Sequence, residues 1–187
     1  MILCGQIENA TNWEAIIACG ALIMSVASVV FTWKQLKMQR EHNLKSIKPI
    51  GRIRIGDYEN KIYVAVENCG IGPMIINEIL SKNSLRETKL KFIDILSEEL
   101  VDRIVWTDFT GRYAGRSILP GAMLNLLVWT PNDSYKDKPE SIEIDKKDLR
   151  NELKDIKLVV SYKDIYELTT YKTELDFNDW FGRHESK

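Results

Sequence analysis

Arginine and tyrosine set between glycines can hold a phosphate-bearing ring, and one segment of this chain concentrates them. In Trp106-Thr-Asp-Phe-Thr-Gly-Arg-Tyr-Ala-Gly-Arg-Ser117, Arg112 and Arg116 flank Tyr113. Guanidinium groups form paired hydrogen bonds to phosphate, and a tyrosine ring offers a stacking face to a base. Arg103 precedes the segment, and Arg52 and Arg54 share a face of their predicted strand, but the sequence leaves open whether these converge with the loop. The simpler reading is a mobile hairpin loop whose arginines keep it soluble.

Other chemistry is sparse. No GxGxxG, P-loop, HExxH or GxSxG pattern stands in the chain. The carboxylate pairs Glu98-Glu99 and Asp145 with Asp148 fall on predicted helices, where adjacent charges mark a solvated face, so no catalytic residue and no enzymatic activity is expected. Cys4, Cys19 and Cys69 are too dispersed for an intrachain bridge, and His42 and His184 lie at opposite ends of the region after the apolar run. No metal and no cofactor is expected from these ligands.

The element that organises everything else lies upstream. Between Trp13 and Trp33 runs Glu14-Ala-Ile-Ile-Ala-Cys-Gly-Ala-Leu-Ile-Met-Ser-Val-Ala-Ser-Val-Val-Phe-Thr32, uncharged from Ala15 onward. As a helix, Ala15 to Thr32 covers roughly 27 Å, close to the ~30 Å of bilayer hydrocarbon. Trp13 and Trp33 stand where an aromatic belt anchors both ends. Lys34, Lys37, Arg40, Lys45 and Lys48 follow against the single acid Glu41, which predicts an external N-terminus and a cytoplasmic C-terminal region. A signal peptide fits poorly, because Glu8 and Glu14 occupy the place of a basic n-region, and nothing ahead of Cys4 supports a lipoprotein reading. The localisation expected is a bacterial inner membrane, crossed once.

Glu14, Ala18, Ala21, Ser25, Ser28, Thr32, Gln35 and Gln39 recur at four and three, a 3.5-residue seam of small and polar side chains. In lipid such residues let helix backbones approach, and hydroxyls can bond across the contact. The seam predicts a homo-oligomer packed along Ala18, Ala21, Ser25, Ser28 and Thr32, with a narrow polar lumen as its extreme form. Alternatively these residues sit in a plain anchor without consequence. Ile16, Ile23 and Val30 fall on another face, toward lipid.

The expected organisation is a short external N-terminus (1–12), a transmembrane helix (13–33), a basic helical stem (34–48) that Pro49 stops and that can bind anionic headgroups, and a cytoplasmic β domain (49–187). Five of the 26 basic and three of the 27 acidic residues precede Pro49, leaving that domain a net charge of about −3. Bulk nucleic acid is thereby excluded as a partner.

Within the domain, periodicity turns to alternation. Arg52 to Ile55 and Ile62 to Val66 read as a hairpin turned at Asp57 to Asn60. Further strands are predicted at Met74 to Leu80, Val105 to Thr107, Ala122 to Trp129, Ile156 to Tyr162 and Leu168 to Leu175. Leu90, Ile93, Leu96, Leu100 and Ile104 predict one amphipathic helix over Thr88 to Arg103, and Asp145 to Lys154 reads as a short polar helix or turn. Trp129 is expected in the core, and Trp180-Phe181 packs the tail onto the domain. About seven short strands argue for a mainly β fold, a β-sandwich with helical insertions.

Asn68-Cys-Gly-Ile-Gly-Pro-Met74, the turn Leu119-Pro-Gly-Ala-Met-Leu124 and Val160-Ser-Tyr-Lys-Asp-Ile-Tyr166 resemble signatures of the cytoplasmic immunoglobulin-like sandwiches of uncharacterised bacterial membrane-anchored proteins. The likeness covers most of residues 49 to 177, with Met74 and Tyr166 where Ala and Gly are commoner. The plan is also similar in layout, not in motif, to membrane-disrupting effectors of bacterial antiphage signalling, some of which have two spans. That resemblance implies a β domain that senses a signalling nucleotide or a cytoplasmic protein and controls assembly of the helices, with membrane lipid as the target. The alternative is a passive anchor and scaffold that recruits a cytoplasmic partner to the bilayer.

Overall fold

The computed structural model describes residues 3–88, 91–135, 139–167 and 169–182, in two units that meet in sequence between Ser46 and Ile47. The first unit is one helix, α1 (Leu3–Ser46), 44 residues long and unbroken through both expected boundaries of the apolar run. It ends short of Pro49, whose ring restricts the preceding residue. α1 is long and apolar enough to cross a membrane, and none of its apolar window is buried within the chain.

The second unit is built from two antiparallel sheets. One has the order β1 (Gly51–Tyr58), β2 (Lys61–Asn68), β7 (Met123–Trp129), β5 (Asp108–Phe109). The other runs β4 (Glu87–Thr88), β3 (Met74–Lys82), β8 (Lys157–Lys163), β9 (Thr170–Asp176), with β6 (Ser117–Ile118) also on β3. Ile53, Ile62, Val64, Val66, Leu127 and Trp129 from the first sheet share one core with Ile76, Ile79, Leu158 and Val160 from the second. Inward Ile and Val at every second position set that face-to-face packing. The described residues hold nine strands, three of them two residues long.

Two bulges interrupt the ladders. Leu126 is an extra residue between the β7 positions that pair with Val64 and Ala65, so Leu126 and Leu127 are both buried. Asn77 is the extra residue on β3, between partners of Tyr162 and Ser161.

The helical expectations need correction. Thr88 to Arg103 is not one helix: a 3₁₀ turn (Ile93–Ile95) and a short α2 (Glu98–Arg103) are separated at Leu96 and Ser97, and Leu90 lies outside the described residues. Ser97 caps α2, its hydroxyl accepting from the Leu100 amide at 3.3 Å. Phe92, Ile93, Ile95, Leu96, Leu100 and Ile104 are all buried, so core contact from several sides imitated a helical stripe. The short polar helix is instead α3 (Pro139–Lys154), 16 residues, hidden in the sequence because only Leu149 and Leu153 are fully buried on it. Pairing beside β7 centres on Asp108 and Phe109, although the Thr107 amide already donates to Val128. The last strand starts at Thr170, and Leu168 lies outside the described residues.

Polar bonds fasten α3. Arg150 forms a bidentate pair with the buried Asp57 (both contacts 2.8 Å), and Lys146 Nζ donates to the Glu59 carbonyl at 2.9 Å. Glu152 accepts from the Ser97 amide at 2.7 Å and from its hydroxyl. The helix therefore ties the β1–β2 turn to the start of α2.

Candidate functional site

Alternation along β1 turns Ile53 and Ile55 toward the core and Arg52 and Arg54 outward. Arg54 Nη1 lies 3.2 Å from Glu67 on β2, and that carboxylate holds its guanidinium pKa above the usual value. Arg52 is exposed, and its side chain has no ion pair or hydrogen bond among the described residues. At the far end of the hairpin the rings of Tyr58 and Tyr63 stack, centroids 6.2 Å apart, and burial pushes the Tyr63 hydroxyl pKa up.

The opposite wall comes from β9 and a terminal turn of helix, α4 (Asn178–Phe181). Phe177 and Phe181 are buried with ring centroids 6.3 Å apart, and Asp176 accepts from the Asn178 amide at 3.0 Å. Fixing those residues leaves Trp180 39% exposed. Between the walls lies a cleft of about 570 Å³, lined among others by Arg52, Arg54, Tyr58, Thr173, Glu174 and Trp180.

Charge in the cleft is unevenly committed. Asp57 is held by Arg150, and Glu174 stands 3.3 Å from Lys157. Asp179 is also partnered. Arg52 and Asp176 are left without an ion pair among the described residues, the cation in a cleft with aromatic surface, an arrangement open to a planar ring that carries an anionic group. The backbone contributes too. The Cys69 amide donates to the Ile50 carbonyl at 2.8 Å, so alternation along β1 turns the peptide groups of Ile53 and Ile55 away from β2, toward the sheet's open edge.

The structure separates the residues grouped from sequence. Arg112 and Arg116 are exposed, but Tyr113 between them is only 3% exposed. Its hydroxyl lacks a hydrogen-bond partner, and burial, with the Asp94 carboxylate adding to it, pushes its pKa up. The ring is enclosed in the fold, so it has no open stacking face here. The loop is also no free hairpin: Gly115 donates to the Ile76 carbonyl and the Ile76 amide to the Arg116 carbonyl, both at 2.8 Å. Gly115, at φ +79°, permits the tight turn. Arg103 is committed to α3, with Nε 2.9 Å from Asp145 and Nη2 2.6 Å from Asp148. Asp145 is itself buried and accepts from the Tyr135 hydroxyl at 2.8 Å, so Arg103 acts as a structural brace.

The seam residues Ala18, Ala21, Ser25, Ser28 and Thr32 are all exposed on α1. Ser28 and Thr32 each donate to the carbonyl four residues back at 2.8 Å, leaving hydroxyl lone pairs to accept from a neighbour. His42 is exposed on α1, and His184 lies outside the described residues.

No protein-family model matches the chain, and no curated protein matches it. The functional reading therefore rests on the cleft and on α1. Arg52 and Arg54 were visible in the sequence as a shared face; Trp180, Tyr58 and Thr173 were not, since contact across two sheet edges leaves no local signature.

Proposed function

We propose that this chain is a single-pass membrane protein whose β domain, immunoglobulin-like and cytoplasmic, binds a ligand in the β1–β9 cleft and thereby controls self-association of α1 through Ala18, Ala21, Ser25, Ser28 and Thr32. Its furthest consequence is membrane permeabilisation by assembled helices, an effector role in bacterial antiphage defence. The observation that carries the reading is an uncovered apolar helix with one small-residue seam, joined in sequence to a domain with an open cation and aromatic rings in one cleft. Lys34, Lys37 and Arg40 support the orientation. The ligand class is an anionic ring compound, of which a signalling nucleotide is one example.

Expression in bacteria tests the first half. Ser25→Leu with Ser28→Leu is expected to lower oligomer size on native gels and to relieve growth arrest, and unchanged behaviour in both sinks the assembling-helix reading. For the second half, Arg52→Glu is expected to weaken nucleotide binding by about tenfold or more, the scale of one lost charge-assisted contact. Equal affinity in titration calorimetry moves the ligand away from this cleft.

A passive scaffold is the second reading. The outward peptide groups of Ile53 and Ile55 favour it, because an open edge can receive an extended partner segment as an added strand.

A further inference from the structure

The cleft lies between two open sheet edges. β1 is an outer strand of the first sheet and β9 an outer strand of the second, and both line it. β1 keeps one unbroken register with β2 from Gly51 to Tyr58, with no bulge and no proline to blunt its outer side. Gly51 already commits its outward amide to the Tyr162 hydroxyl at 2.9 Å, so the free edge begins at Ile53. On β9 the Phe177 amide donates to the Ile156 carbonyl at 2.9 Å. By alternation Thr173 and Leu175 bond to β8, while the peptide groups of Glu174 and Asp176 turn outward. Both walls therefore carry peptide donors and acceptors that the hydrogen bonds among the described residues leave open.

The cleft also has a direction. Gly51 bonds Tyr162, which pairs with Tyr171 near the start of β9, so β1 and β9 leave that point together and run the same way. Arg52 is the next residue after Gly51, whereas Asp176 lies five past Tyr171, which sets the two about 13 Å apart along the strands at ~3.3 Å per residue. Neither has an ion pair among the described residues, although Asp176 accepts from the Asn178 amide. We propose that the cleft takes an extended segment of a partner protein, about six residues long, as a strand antiparallel to β1, with a basic side chain toward its N-terminal end and an acidic one toward its C-terminal end. The proposal rests on the scaffold reading above and makes its partner specific. Antiparallel pairing matches both sheets and is the more stable per residue. Laid in that direction, the segment begins toward Asp176 and ends toward Arg52, so each charge meets its opposite; the reverse order of charges sets like beside like. Ile55 and Leu175 are only partly buried in the core, so every second side chain of the segment finds an apolar flank.

The test uses the full-length protein in detergent micelles and two libraries of acetylated, amidated six-residue peptides. In the first, Lys stands first and Glu last, with the interior positions drawn from Val, Ile, Thr, Phe and Tyr; in the second, the two charges are exchanged. Peptides retained from the first library are expected to bind about tenfold or more tightly than those from the second, the scale of a charge-assisted contact. They should also slow hydrogen exchange at the Ile53 and Ile55 amides, and N-methylation of the peptide amides that face β1 should weaken them by about tenfold or more. Arg52→Glu, at an exposed site, should erase the preference between libraries. Equal binding by the two libraries, or preference for the exchanged charges, with exchange still slowed at Ile53 and Ile55, overturns the proposal and keeps the open edge of the scaffold reading. Binding without slowed exchange at those amides overturns the added strand. No retained peptide in either library overturns the proposal and the scaffold reading together. If adenosine monophosphate then binds through Arg52, the ring-ligand reading stands alone.

Discussion

Tyr113 shows how far a residue's role depends on its surroundings. Between Arg112 and Arg116 it looks like half of a phosphate-and-ring site, yet its ring is enclosed and its hydroxyl is buried without a partner. A buried hydroxyl that makes no bond keeps its full desolvation penalty, so Tyr113→Phe is expected to stabilise the fold by about 1 kcal/mol, read as a higher denaturant midpoint. The same burial raises its folded pKa above the unfolded value of about 10. The folded state then holds the proton more tightly, so the associated stability is complete below about pH 10 and is lost as pH rises beyond it. Stability measured across that range should fall less steeply in Tyr113→Phe than in the parent; parallel slopes would show that other groups set the alkaline limit. Arg103 was equally ambiguous in the sequence. Neither its type nor its position announced that Asp145 and Asp148, more than forty residues on, would hold it.

Among the elements, the six strands of seven or more residues were legible; β4, β6 and the helices of the β domain were not, and β5 lies beyond its expected place. Ile62, Val64 and Val66 alternate cleanly because β2 is central in its sheet and buries one face. α3 escaped notice because it is fastened by charge as much as by apolar contact. Arg150 shows the strength of that fastening: it makes two bonds to Asp57, whose side chain is nearly inaccessible. Arg150→Ala is expected to cost about 3 kcal/mol in thermal or urea unfolding, since a buried carboxylate loses its guanidinium. Arg150→Lys should recover only part, because an ammonium cannot supply the paired geometry. A loss under about 0.5 kcal/mol in Arg150→Ala, the usual scale of a surface change, would mean that α3 is held by Leu149 and Leu153 alone. In α1 the balance is reversed: apolar length and a 3.5-residue seam are properties of the chain itself, readable without any packing.

For the whole molecule, the segment Ile47–Ile50 belongs structurally to the β domain although it follows α1 directly in sequence. Gly72 and Gly70 pack on it without side chains, and Asn68 bonds to it. A fragment starting at Ile47 is therefore expected to unfold cooperatively, and one starting at Gly51 to be weaker by about 2 kcal/mol, the scale of two or more lost hydrogen bonds with their packing. Equal midpoints for the two fragments would show that this segment only rides on the surface. The sequence by itself determined what depends on local order along the chain. An uncharged run long enough for a bilayer, the charge asymmetry beside it, the seam within it and the alternation of the long strands all follow from spacing on one element. Only the tertiary structure decided which distant residues meet. Contact between β1, β9 and α4 makes the cleft, burial encloses the Tyr113 ring, and the Asn68 side chain bonds Ile50, Gly70, Gly72 and Ile118. The physical reason is that helix and strand periods are short-range consequences of backbone geometry, whereas a site is a coincidence of side chains fixed by the packing of the entire core.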